Sequence, residues 1–169
     1  VQGLGEALID SALSQPRVLV YRDYHCRNLM QRPDGSLGLI DFQDAVIGPL
    51  CYDLASLLRD CYIRWDPAQV VDWALGYRQQ LLAQQRPAGD SDQQFLRWFD
   101  WIGLHRHLKV LGNFTRLALR DDKPGYLKDL PMVLRYIREV LVRYPEFAAF
   151  NRWFDERVVP RFPTVQWED

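Results

Sequence analysis

Asp23, Asn28 and Asp41 combine residue types and spacing that could do chemistry. Asn28 lies five residues after Asp23, and Asp41 thirteen after Asn28, with the turn Pro33-Asp34-Gly35-Ser36 between them. Two carboxylates and an amide around a short hairpin form the oxygen-donor set of a phosphoryl-transfer site. One carboxylate orients the attacking hydroxyl; the amide and the second carboxylate hold a divalent cation against phosphates. Hard oxygen ligands in a partly hydrated site suit Mg²⁺ rather than zinc.

Those side chains need elements to position them. Val18-Leu19-Val20 follow Pro16 and read as a buried strand. Tyr21 to Arg27 are polar and aperiodic, so they read as a loop. Leu29-Met30-Gln31 and Leu37-Gly38-Leu39-Ile40 flank the Pro-Asp-Gly turn as a β-hairpin. A hairpin of that size brings its ends together, so Asn28 and Asp41 should approach, with Asp23 nearby. Alone, an Asp-x-x-x-x-Asn pattern arises often by chance, and an Asp ending a strand is usually a cap. Joined by the hairpin and followed by Gly48-Pro49 and Tyr52-Asp53-Leu54-Ala55, they point to one site.

The segment Tyr21-Arg22-Asp23-Tyr24-His25-Cys26-Arg27-Asn28 resembles the His-Gly-Asp-x-His-x-x-Asn loop of the protein-kinase-like superfamily, in its aminoglycoside phosphotransferase branch. Ile40-Asp41-Phe42 is similar to that family's metal-binding segment. The resemblance implies that Asp23 is the catalytic aspartate. It implies that Asn28 and Asp41 hold magnesium and, through it, the nucleotide ATP. Asp44 matches an acidic position near metal or substrate. Asp53 matches a helix-borne aspartate that buttresses the loop through its backbone, and His25 a residue that braces the loop. Tyr21 departs from the usual His at a mostly structural position. More narrowly, residues 21–30, 40–62, 106–114 and 123–131 resemble bacterial kinases that phosphorylate N-acetylmuramate and N-acetylglucosamine at the anomeric hydroxyl in cell-wall recycling. This implies a small-molecule sugar as acceptor, although spacing and composition select no sugar. Two rivals stand beside it: an aminoglycoside, choline or other alcohol kinase, and a non-catalytic binding module of kinase ancestry.

A kinase of this kind also needs a glycine-rich strand pair over the phosphates and a strand lysine paired to a helix glutamate. Only twenty-two residues precede Asp23, and they read as a helix over Gly3–Ser14 and one strand. The expected fold is therefore mainly α with a small β-hairpin (α+β), the C-terminal lobe of a protein-kinase-like fold. The N-terminal nucleotide lobe is expected to be absent and the isolated lobe inactive. Residues 1–169 read as a single domain, with catalytic and metal loops over 18–54 and a helical substrate-binding region over 55–160.

Composition narrows the partners. Lys and Arg total 21 against 22 Asp and Glu, a net charge of −1, so no global charge favours nucleic acid or anionic membrane. No apolar run approaches the roughly 20 residues needed to span a bilayer. Cys26, Cys51 and Cys61 are odd in number and lack metal-ligand spacing, which reads as reduced thiols in a cytoplasmic protein. Cys26, inside the loop, reads as a small filler ahead of an accessible thiol.

Beyond the hairpin, helices are expected over Leu50–Tyr62, from an Asp66 cap to Gln85, and over a long segment opened by Asp90-Ser91-Asp92. That segment carries Phe95, Trp98, Phe99, Ile102, Leu108, Leu111 and Leu119 on its apolar side, with Gly112 or Asn113 as a bend. Further helices start at Asp129 or Leu130 and at Pro145, the latter ending near Val159 before a tail over 162–169. Most of the aromatic load should be core. Trp65, Trp98, Trp101 and Tyr126 are candidates for stacking on a sugar. Arg106, His107 and Lys109 read two ways: as contacts to a substrate carboxylate or phosphate, or as a solvated, salt-bridged face.

Overall fold

The computed structural model describes residues 2–163 and 165, so residues 164 and 166–169 of the expected tail lie outside the described residues. The chain divides into two compact units, Asp10–Gly103 and Val1–Ile9 with Leu104–Asp169. The helices α1 (Gln2–Leu13) and, later, α4 (Asp92–Arg120) have residues in both.

The first unit holds all the strands. β1 (Arg17–Val20) leads into the loop, and β2 (Leu29–Gln31) and β3 (Leu37–Leu39) form the expected hairpin, with Leu29 opposite Leu39. Its turn is built by local chemistry. Gly35 takes a left-handed φ of 81°, and the Asp34 carboxylate accepts from the Ser36 amide at 3.0 Å and hydroxyl at 2.6 Å. A second ladder was not foreseen: β4 (Val46–Pro49) pairs antiparallel with β1. Pro49 is tolerated because the ladder has two strands, where proline costs no interior hydrogen bond. Gly48 also permits close approach, since a Cβ there would sit 3.1 Å from Val20 Cγ2.

α2 (Tyr52–Leu58) is shorter than expected at both ends. The Leu50 and Cys51 amides are spent on the Pro16 carbonyl and the Gln15 side chain, both at 3.0 Å. Residues 60–62 leave the helix to pack on the loop. α3 (Pro67–Ala83) begins as expected, with the Asp66 carboxylate accepting from Gln69 N at 3.0 Å and Pro67 in the first turn. It closes in a Schellman arrangement. Arg86 N donates to Leu81 O and Gln85 N to Leu82 O, both at 2.9 Å, with Gln85 left-handed at φ 56°. Ser91 caps α4 through Gln94 N at 3.1 Å. The core of this unit gathers Leu50, Ala55, Val70, Ala74, Phe95 and Phe99. Within it the Arg59 guanidinium meets the Asp100 carboxylate at 2.6 Å.

The second unit is helical: the later part of α4, α5 (Leu130–Arg143) and α6 (Ala148–Arg157), with 3₁₀ turns at Pro124–Asp129 and Pro145–Phe147. α4 runs through Gly112 and Asn113 without a break, and Leu119 is 84% exposed rather than on the apolar side. Val133, Leu134, Ile137, Val140 and Leu141 put the apolar stripe of α5 into the core, and Arg138 pairs with Asp155 of α6 at 3.0 Å. Helices dominate, with small antiparallel ladders, as the sequence predicts. No helix among the described residues is long and apolar enough to cross a membrane.

Candidate active site

The loop after β1 is held from below by α2. Both oxygens of Asp53, in its first turn, accept main-chain hydrogen bonds: Tyr21 N at 2.6 Å and Arg22 N at 2.9 Å. Arg22 is left-handed at φ 78°, a conformation costly for a side-chain-bearing residue. Two charge-assisted bonds offset that cost. Asp53→Ala is expected to lose about 2–4 kcal/mol of stability, because two loop amides lose a charged acceptor. Urea unfolding checks this; an unchanged midpoint would mean that the loop holds its own shape.

The loop then turns tightly. His25 N donates to Asp23 O at 3.0 Å and Asn28 N to His25 O at 2.9 Å, closing the 3₁₀ turn Cys26–Asn28. The Asn28 side chain donates from Nδ2 to the Asp23 carbonyl at 3.0 Å. That bond fixes the amide with its nitrogen engaged, leaving Oδ1 to face another ligand. Ile40 N reaches Asn28 O at 3.3 Å across the hairpin mouth, which sets Asp41 one residue beyond Asn28's partner. Asp41 is left-handed at φ 69°, and one carboxylate oxygen accepts from Gln43 Nε2 at 2.7 Å. Asp44 is exposed, and its main-chain carbonyl meets Arg22 Nη1 at 3.5 Å. The half-buried Asp23 side chain makes no hydrogen bond or ion pair among the described residues.

Tyr21 has a role that sequence reasoning passed over. Its hydroxyl donates to the Ile40 carbonyl, tying the start of the loop to the residue before Asp41. Desolvation first, then the charges of Asp41, Asp23 and Asp53, push its pKa up, so the phenol stays a donor. The signal was present in the departure from the usual His, since Tyr keeps a donor at the ring's far end.

Other loop residues pack outward. The His25 ring meets the Tyr62 ring edge-on at 5.8 Å, its Nδ1 buried without a hydrogen-bond partner among the described residues. The Arg27 guanidinium lies 3.4 Å from the centre of the same Tyr62 ring. The half-buried Cys26 thiol donates to Asp60 at 3.4 Å. Desolvation and that bond push its pKa up, away from thiolate reactivity.

Arg106, His107 and Lys109 belong to the other compact unit. His107 is 3% exposed and stacks on Tyr136 at 4.8 Å, so it lies on neither a solvated face nor an open one. Lys109 is exposed and Arg106 half-buried. Trp98 and Trp101 are buried, Trp98 donating to Ser14 Oγ at 3.1 Å and Trp101 beneath Arg97. Trp65 is exposed beside Trp73, and Tyr126 leans on Phe114.

The hairpin mouth thus carries the Asp23 carboxylate, with no hydrogen bond or ion pair among the described residues, the oriented Asn28 amide and the Asp41 carboxylate. Residues 4–89 match the sequence model of the Phosphotransferase enzyme family, and the chain belongs to that family. The match contains Asp23, Asn28, Asp41, Asp44 and Asp53 and stops before Arg106. The chain is 48% identical over 155 residues to a Pseudomonas putida protein named N-acetylmuramate/N-acetylglucosamine kinase, covering 92% of this chain and 45% of that protein. A Neisseria meningitidis protein of the same name is 45% identical over 143 residues, covering 85% of this chain and 42% of its own length. A Caulobacter vibrioides protein of that name is 36% identical over 150 residues, at 85% and 38% coverage. The chain spans a little under half the length of these relatives.

Proposed function

We propose that this chain carries the catalytic loop and metal-binding hairpin of a kinase that moves the γ-phosphoryl group of ATP to a sugar hydroxyl. The acceptor is the anomeric hydroxyl of N-acetylmuramate or N-acetylglucosamine. One observation carries the reading: Asn28 is tied to the Asp23 carbonyl while the Asp23 carboxylate is left unengaged beside it. Asp23 orients the acceptor hydroxyl and takes its proton late. A hemiacetal hydroxyl is more acidic than an ordinary alcohol, so a weak base is enough. Positioning and charge neutralisation supply most of the rate.

The donor set fits magnesium. Asn28 Oδ1 and the Asp41 oxygen not bonded to Gln43 are hard ligands, and magnesium typically takes one or two carboxylates plus phosphates. Among the described residues no three His, Cys, Asp or Glu side chains form a protein-only metal cage, in keeping with a cation shared with a nucleotide. When bound, magnesium neutralises charge on the transferring group. The exposed Asp44 is assigned an assisting role through water in this reading, and Lys109 and Arg106 are its substrate candidates on α4. Three free cysteines fit a cytoplasmic setting.

A nucleotide-clamping lobe beyond the described residues belongs to the same proposal. None of the lysines, Lys109, Lys123 and Lys128, lies on a strand. Leu19, Leu39, Phe42 and Ala45, with Tyr21 and Tyr24, line an open apolar cavity of about 450 Å³, and Leu19 is 71% exposed. Apolar surface so concentrated on a strand face is usually covered.

The test is ATP consumption by the complete reading frame encoding this chain, with Mg²⁺ and N-acetylmuramate, N-acetylglucosamine or kanamycin as acceptor. Turnover with the amino sugars alone supports the proposal. Turnover with kanamycin alone would move the acceptor to the aminoglycosides, and none with any of them would leave a non-catalytic module as the better reading.

A further inference from the structure

A second cleft of about 560 Å³ opens on the first unit, and its lining includes neither Asp23, Asn28, Asp41 nor Asp44. Val18, Leu19, Leu50 and Leu81 contribute its apolar surface, Leu19 being shared with the cavity beside the catalytic loop, and Arg17, Arg86 and Tyr77 its polar groups. Among the described residues no carboxylate lines it, and Asp53 acts on Tyr77 only from outside the lining. Arg17 and Arg86 are exposed, and neither makes a side-chain hydrogen bond or ion pair among the described residues. We propose that this cleft binds an organic anion, a carboxylate or phosphate carried on an apolar body, between Arg17 and Arg86.

The local structure explains how two like charges come to share a cleft. β1 fixes Arg17 at its first residue, paired to Pro49. The Schellman closure of α3 fixes Arg86 through its own amide, not its side chain. Guanidinium groups match carboxylate and phosphate oxygens in a fixed fork, and two without counter-charges gain from an anion between them. Tyr77 adds a neutral donor, because desolvation pushes its pKa up, with the neighbouring Cys51 adding to the effect. Beside the wall at Pro16, Gln15 is buried, its Oε1 bonded to Cys51 N and its Nε2 without a partner among the described residues. Val18, Leu50 and Leu81 give an apolar body a surface to cover, which a bare inorganic anion would leave unused.

Calorimetric titration with phenyl phosphate, benzoate and inorganic phosphate tests this on the complete protein and on its Arg17→Gln, Arg86→Gln and Asp23→Asn variants. Phenyl phosphate, benzoate or both should bind at one site, more tightly than inorganic phosphate. Each arginine variant should weaken that binding about five- to tenfold. Asp23→Asn should leave it unchanged, which separates this cleft from the proposed active site. The two arginine side chains are exposed, so both variants should melt with the parent. The order of phenyl phosphate and benzoate tells a phosphate ligand from a carboxylate one. No heat from either aryl anion, parental affinity in both arginine variants, or a loss confined to Asp23→Asn overturns the proposal.

Discussion

Asp23→Asn should lower phosphoryl transfer about 10²–10⁴-fold, the range over which a positioned general base acts, while stability stays within about 0.5 kcal/mol of the parent. The two expectations come from different atoms of one residue. The carbonyl of Asp23 does the structural work, accepting from His25 N and Asn28 Nδ2. Asparagine keeps that carbonyl. The carboxylate does no such work, since nothing among the described residues bonds to it. Its replacement removes a proton acceptor and one negative charge and leaves the fold's hydrogen bonds intact. Turnover and urea unfolding of the same preparation check the pair. Normal turnover would sink the role assigned to Asp23, and a large loss of stability would mean that its carboxylate holds the loop.

Asp53→Ala has the opposite signature. Asp53 spends both carboxylate oxygens on loop amides, so its removal acts on the fold first and on turnover through the loop. A variant set that includes both aspartates therefore separates chemistry from support. Stability moves with one, and turnover at unchanged stability moves with the other.

Much of the local fold around these residues could be read from the chain. Turn chemistry at Pro33-Asp34-Gly35 is local, so the hairpin followed from sequence; Asn28 and Asp41 were expected to approach, and it is Ile40, the residue before Asp41, that bonds to Asn28. β4 did not, because Gly48 and Pro49 are acceptable there only through pairing with β1, a long-range fact. The ends of α2 were misread for a related reason. Leu50 and Cys51 continue a helical pattern, but they form a turn before the helix, their amides bonded to Pro16 O and Gln15 Oε1. His107 stood among charged neighbours and read as a surface or ligand-facing residue. Its place was nonetheless written in spacing, because Leu104, His107 and Phe114 recur at three and seven residues, and all three are buried. Charge on adjacent residues outweighed helical period in that reading, and the period was the better guide.

The pair Arg59–Asp100 carries the largest expected effect on stability. It joins the residue capping α2 to the first third of α4 at 2.6 Å, with side chains 9% and 2% exposed. Arg59 also lies over the Phe99 ring at 4.5 Å. Asp100→Asn keeps the shape and removes the charge, leaving a guanidinium in a dry setting. Such half-broken pairs cost about 3–5 kcal/mol. The pair itself need not be that favourable, because desolvating two charges consumes most of their attraction. Arg59→Met with Asp100→Leu should therefore recover most of the loss, to within about 1–2 kcal/mol of the parent. Urea unfolding of the single and double variants reads the coupling directly. A double variant as unstable as Asp100→Asn would show that the charges themselves hold α2 on α4. Since α2 also carries Asp53, turnover measured well below the melting transition should survive the double variant and fail in Asp23→Asn, which keeps anchoring distinct from catalysis.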